Sequence, residues 1–129
     1  MRKFIAYSEF FKKYAAEYNF DYLMLAAQGY QESQLDQSKR SPAGAVGVMQ
    51  VIPKVAAAPL INIPDVFHAD GNIHAGAKIL HTIAATFFSD RAIDPLNKTL
   101  FTFASYNAGP YRIAHLRKKA EQDGLDPNK

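Results

Sequence analysis

One segment constrains this chain more than any other. Residues 22–33 read Tyr-Leu-Met-Leu-Ala-Ala-Gln-Gly-Tyr-Gln-Glu-Ser, apolar on nearly every side for the first two turns. A helix of that pattern belongs in the middle of a core. Asp21 is its predicted N-cap. Gly29 costs about 1 kcal/mol relative to Ala inside a helix, which predicts close approach of another backbone, or of a ligand, at that point. The segment delivers a carboxylate, Glu32, to the mouth of a loop over 31–52. Pro42, Gly44 and Gly47 punctuate that loop, and it has too few large apolar residues to form a core of its own. The remainder reads as scaffold and substrate groove around the acid.

Helical periodicity covers nearly everything else. Ser8 is the expected N-cap of a first helix to about Tyr18, with Phe10, Phe11, Tyr14 and Tyr18 at three- and four-residue steps. Pro53 is placed to open a short helix over 54–58. Pro59 and Pro64 then enforce an irregular connection. A long helix is predicted over 70–88, with Ile73, Ala77, Leu80, Ile83, Ala84 and Phe87 on one face. Asp94-Pro95 opens another, expected to stop at the turn-forming cluster 105–110. A last helix is predicted over 111–123, with Gly124 as its stop. No strand pattern competes, so the expectation is a single all-α domain over 1–129.

Composition narrows the function classes. The chain has 129 residues, 48% hydrophobic, with a formal charge of +3 and an isoelectric point near 9.1. That fits one globular domain, excludes disorder, and leaves no apolar run long enough to span a bilayer. The mild basicity suits an anionic partner without choosing among cell-wall polymer, membrane surface and nucleic acid. With no cysteine, disulfides, thiolate catalysis and zinc–cysteine sites drop out. Ser8 and Glu9 interrupt the basic and apolar start, so no signal-peptide core forms; an export signal is expected upstream.

The stripe through Tyr22, Leu25, Ala26 and Gly29 leads to Glu32. Desolvation and the negative end of the helix dipole both favour a neutral carboxyl there, as a general acid for glycoside cleavage requires. The pattern alone leaves a second reading open, a carboxylate at a frayed helix end pointing into water. Gly44 and Gly47 fit turns needing positive φ; Met49 and Gln50 fit ordinary helix-start residues, Tyr106 and Asn107 a helix end. His68, His74, His81 and His115 lack metal-site spacing and no phosphate-binding loop occurs, so neither a metal nor a cofactor is expected. The basic cluster 112–119 reads as a solvated helix face.

In order along the chain stand Glu32-Ser33, the run from Ser41 through Pro42, Ala43, Gly44, Gly47, Met49 and Gln50 to Pro53, Asn72-Ile73-His74-Ala75-Gly76, and Ser105-Tyr106-Asn107-Ala108-Gly109. This ordered set resembles the lytic transglycosylases of the soluble-lytic-transglycosylase type. The flanking residues are most similar to the C-terminal catalytic domain of a membrane-bound branch. The resemblance implies a goose-lysozyme-like helical fold. It also implies cleavage of the β-1,4 bond between N-acetylmuramic acid and N-acetylglucosamine in peptidoglycan, leaving a 1,6-anhydromuramoyl end. Glu32 matches the single catalytic acid/base, Ser41 the loop serine near substrate, and Tyr106 the tyrosine facing the acid. Met49, Gln50 and Asn107 fall in motifs lining the groove.

Attack by the sugar's own C6 hydroxyl needs neither a protein nucleophile nor an activated water, so one residue can serve as acid and then base. Asp36, the next carboxylate, reads as a loop residue. Two positions depart from the family pattern: Ile52 where Met is frequent, and Ile79 where Tyr is frequent. The implied partner is the glycan strand, with no nucleic acid and a membrane only through a missing anchor. The implied location is the periplasm at the outer membrane. A monomer is favoured, excised from a longer protein with a solute-binding-like regulatory domain. The competing readings are a hydrolytic muramidase, a non-catalytic peptidoglycan-binding module and, more distantly, a basic nucleic-acid-binding domain.

Overall fold

The computed structural model describes residues 2–87 and 95–108, with side chains for 5–86 and 97–106. Five helices follow one another: α1 (Arg2–Tyr18), α2 (Tyr22–Ser33), α3 (Pro53–Ala57), α4 (Ala69–Phe87) and α5 (Pro95–Ala108). The all-α class expected from the sequence is what the described residues show; their only extended pairing is two isolated bridges, Arg40 with Val46 and Val46 with Val51. The chain divides into two compact units, Met1–Ile79 and Leu80–Lys129. The predicted last helix over 111–123, its Gly124 stop, the turn residues Gly109 and Pro110, and His115 all lie outside the described residues.

In the first unit α1 and α2 pack together, burying Phe11, Tyr14 and Ala15 against Leu25 and Ala26. Asp21 caps α2 as expected, accepting from the backbone N–H groups of Leu23 (2.8 Å) and Met24 (3.3 Å). Ser8 is not a cap: α1 begins six residues earlier, and the Ser8 hydroxyl donates to the Ile5 carbonyl at 3.1 Å. Back-bonding to the preceding turn is the ordinary fate of a serine inside a helix. Nor is α2 buried all round. Leu23 and Tyr30 are more than half exposed while Gln28 is 7% exposed, so one stripe faces outward despite its apolar composition.

The close approach predicted at Gly29 is real, but side chains make it. A Cβ there would stand 3.1 Å from Val48, 3.2 Å from Leu35 and 3.2 Å from Phe11. Val48 and Leu35 belong to the loop, which carries more core than its sequence promised. Val46, Val48, Met49 and Val51 are all at most 4% exposed. Four such residues interleaved with turn residues fill the space that polar, glycine-rich text concealed.

Pro53 opens α3, with Ala58 just past its end. The long helix α4 buries Ile73, Ala75 and Ala77 and meets α1 through a polar cluster. The Tyr14 hydroxyl donates to Asp70 Oδ1. Tyr18 Oη lies 2.7 Å from His74 Nε2, the His74 ring stacks on Tyr14 at 4.3 Å, and Glu17 Oε2 is 3.5 Å from His74 Nε2. Burial is the main cause lowering the His74 pKa, partly opposed by Glu17, and burial also raises the Tyr14 and Tyr18 hydroxyls.

The second unit holds the end of α4, with Leu80 and Ile83 buried, and α5, whose Thr102 and Ser105 are buried. Both hydroxyls donate to the carbonyl four residues back, Lys98 at 2.8 Å and Phe101 at 2.7 Å, which is how a polar side chain sits inside a helix without a lost bond. Residues 105–108, expected to form a turn, are helical.

Candidate active site

Glu32 occupies the last turn of α2. Ser33 ends the helix, and Gln34 and Leu35 follow in the left-handed region at φ 56° and 61°. Two consecutive left-handed residues reverse the chain sharply, and a non-glycine residue adopts that conformation at a cost of about 1–3 kcal/mol. Leu35 is 5% exposed, so its burial offsets the strain. The chain is thereby sent back across the end of α2.

Polar side chains fix the returning loop. Ser33 Oγ lies 2.7 Å from the Val48 carbonyl and 3.1 Å from that of Gly29, and accepts from Asp36 N–H. Two amides act as clamps. Gln37 accepts from Val48 N–H and donates to the Val66 carbonyl, both at 3.1 Å. Asn72, wholly buried on α4, accepts from Met49 N–H at 2.8 Å and donates to the carbonyls of Val46 (2.7 Å) and Val66 (2.8 Å). Both amides converge on Gly47, where φ is +79° and a Cβ would stand 2.4 Å from Asn72 Nδ2 and 2.6 Å from the Gln37 amide. Only glycine fits there, for conformation and for space.

Within this frame Glu32 is half-buried. Gln28 Nε2, one turn back, donates to its Oε1 at 3.1 Å. The Lys39 ammonium donates to its backbone carbonyl at 3.0 Å, satisfying a helix-end acceptor. Burial raises the Glu32 pKa above the usual carboxyl range, and the Lys39 charge partly opposes it. Of the two readings the sequence left open, the desolvated one matches this environment. A carboxyl so placed keeps its proton to higher pH than a solvated one, and can both give and recover it.

The other expected site residues take different places. Ser41 pins a tight turn: its N–H donates to the Ala45 carbonyl at 3.0 Å and its Oγ accepts from Ala45 N–H at 2.9 Å. Gln50, at φ 49°, donates from Nε2 to the carbonyls of Gly47 (2.8 Å) and Lys39 (3.2 Å), so it braces the loop segment that carries Lys39 to Glu32. Met49 is fully buried and packs on α4, where a Cβ at Gly76 would lie 2.7 Å from it. Tyr106 is half-buried on α5, in the second unit. Asn107 is helical, with its side chain outside those described. Asp36 accepts from Ser38 N–H and Oγ, a turn-forming role in keeping with its reading as a loop residue. Among the described residues no group of His, Asp and Glu could hold a metal ion.

Gln28, Gln37 and Lys39 escaped the sequence reading. A signal existed only for Gln28, an amide interrupting an apolar helix face one turn before the acid. Gln37 and Lys39 sit in polar loop text that looks like any solvated turn.

The fold and this site define a helical domain that presents one desolvated carboxyl at a helix end over a clamped loop. The chain belongs to the Transglycosylase SLT domain family, which it matches over residues 9–127. It is similar to proteins named membrane-bound lytic murein transglycosylase F. That of Marinobacter nauticus is 35% identical over 95% of the chain, that of Stutzerimonas stutzeri 33% over 95%, and that of Desulfosudis oleivorans 36% over 92%. The chain spans about a quarter of these relatives' length, 24–25%.

Proposed function

We propose that this chain is the catalytic domain of a peptidoglycan lytic transglycosylase, with Glu32 as acid and then base. The observation that carries the reading is the half-buried Glu32 carboxyl at the end of α2, its pKa raised by burial. Its proton goes to the glycosidic oxygen as the bond from C1 of N-acetylmuramic acid breaks and N-acetylglucosamine departs. The Glu32 carboxylate then takes the proton of the C6 hydroxyl while that oxygen bonds to C1, closing the 1,6-anhydro ring. The proton is regained and no water is consumed, so one carboxyl suffices.

On the strength of the family motifs, Ser41, Met49, Gln50, Tyr106 and Asn107 are assigned to substrate binding. Family membership and the relatives' names, membrane-bound lytic murein transglycosylases, support a glycan-strand substrate at the cell envelope; the finer assignment to the periplasm at the outer membrane is part of the proposal. No helix among the described residues is long and apolar enough to cross a membrane. Mass spectrometry of digested peptidoglycan tests the chemistry: products one water lighter than hydrolysis products support it, and ordinary reducing ends turn the reading to a muramidase.

A further inference from the structure

We propose that Gln28 is a positioning residue for Glu32, holding Oε1 so that Oε2 is the oxygen that gives up and recovers the proton. The inference rests on Glu32 being the acid/base. Gln28 lies on the buried face of α2 with Leu25, Ala26 and Gly29, and is 7% exposed. Glutamine is mostly a surface residue, and burying an amide costs about 1–3 kcal/mol unless it is hydrogen-bonded. Leucine or methionine would fill the same space. What glutamine adds is hydrogen bonding, and Glu32 Oε1 receives one of its bonds at 3.1 Å.

An amide N–H only donates. In the neutral acid, the oxygen facing it is therefore the unprotonated one, and the proton resides on Oε2. After that proton has left, the same N–H stabilises charge on Oε1, and Oε2 can take the proton of the C6 hydroxyl. One carboxyl orientation then serves both steps. Without the amide, rotation about the last side-chain torsion, which is broad for glutamate, exchanges the two oxygens.

The charged surroundings are few. On the loop, Lys39 donates to the Glu32 carbonyl and acts on the carboxyl through its charge. On α2, Glu32 is the only charged side chain. From α1, which packs on α2, Lys12 lies over the Tyr22 ring, Lys13 over Tyr14, and Glu17 beside His74. Gln28 and Lys39 thus both favour the ionised form, against the burial that favours the neutral one.

Gln28→Met keeps the shape and removes the donor. Turnover should fall about 10-fold with KM changed less than about twofold, and the alkaline limb of the pH–rate profile should move up by about 0.5 in pH, because the neutral acid gains. Carbon-13 NMR titration of the Glu32 carboxyl should show the same upward movement without substrate. A folded Gln28→Met protein with the wild-type titration and limb would overturn the proposal. If that variant does not fold, Gln28→Glu offers the same shape with a second carboxyl, and the Glu32 titration should move up further; an unmoved titration overturns the proposal there too. The titration needs no glycan, so absence of anhydro products would remove the functional reading while the role of Gln28 was still decided.

Discussion

Two half-buried polar clusters of the first unit use the same physics to different ends. Between α1 and α4, Tyr14, Glu17, Tyr18, Asp70 and His74 meet from two helices and bond to one another. At the end of α2, Gln28 bonds the Glu32 carboxyl and Lys39 the Glu32 carbonyl, and no cation from another helix neutralises that carboxyl among the described residues. Burial favours the neutral form in both, but the pH consequences are opposite. His74 is lowered, so below pH 6.5 the unfolded chain binds more protons and stability falls with acidification through the folded value. Glu32 is raised, so above pH 4.5 the folded chain binds more protons and stability falls as pH rises through the folded value. A cluster closed on itself fastens helices. One that leaves an acid costly to ionise gives up some stability, an exchange that on the proposed function serves reactivity.

The sharpest test of that contrast is Glu32→Gln, which keeps shape and removes the proton. Turnover should drop about 10²–10⁴-fold, the range for loss of a general acid, while the melting midpoint at pH 7 stays level or rises, since a disfavoured charge is gone. A variant that digests peptidoglycan at the wild-type rate would take Glu32 out of the mechanism.

Asn72→Ala tests whether the loop that faces the acid is held from α4. Its removal strands Met49 N–H, while the Val66 carbonyl keeps Gln37 Nε2 and the Val46 carbonyl keeps Val51 N–H as donors, and an unsatisfied buried group costs about 1–3 kcal/mol. Denaturant unfolding should report a loss of about 1–3 kcal/mol; an unchanged stability would mean the loop is fixed elsewhere.

His74→Phe keeps the stack on Tyr14 and removes the titrating nitrogen. At pH 7 the change should stay within about 1 kcal/mol, near the net worth of one hydrogen bond. Melting midpoints from pH 7 down to 5 should fall less steeply than in the wild type. Parallel curves would mean that His74 does not link protonation to folding.

The smallest effect belongs to Lys39→Met. With the opposing charge gone, the Glu32 pKa rises and the alkaline limb should move up by a few tenths in pH, less at high salt because an exposed charge is screened. A downward movement would show that Lys39 acts on the reaction by another route.

Sequence alone determined the five described helices and most of their borders, because apolar periodicity, the Asp21 cap and Pro53 are local signals. It also placed Glu32 at the end of a helix with a buried face, and with the ordered motifs that sufficed for the family. Local signals misled where a residue has two uses: Ser8 caps nothing because it bonds backwards inside α1, and residues 105–108 stay helical despite their turn composition. Tertiary structure decided the rest. Whether Val46, Val48, Met49 and Val51 were core or loop depended on α4 presenting Asn72 and Gly76 to them. Whether Glu32 was desolvated or solvated depended on the chain's left-handed reversal at Gln34 and Leu35. Those outcomes come from contacts between residues far apart in the chain, such as Val46 with Asn72, 26 positions on, and Gln37 with Val66, 29 positions on, and no local pattern encodes a partner at that distance.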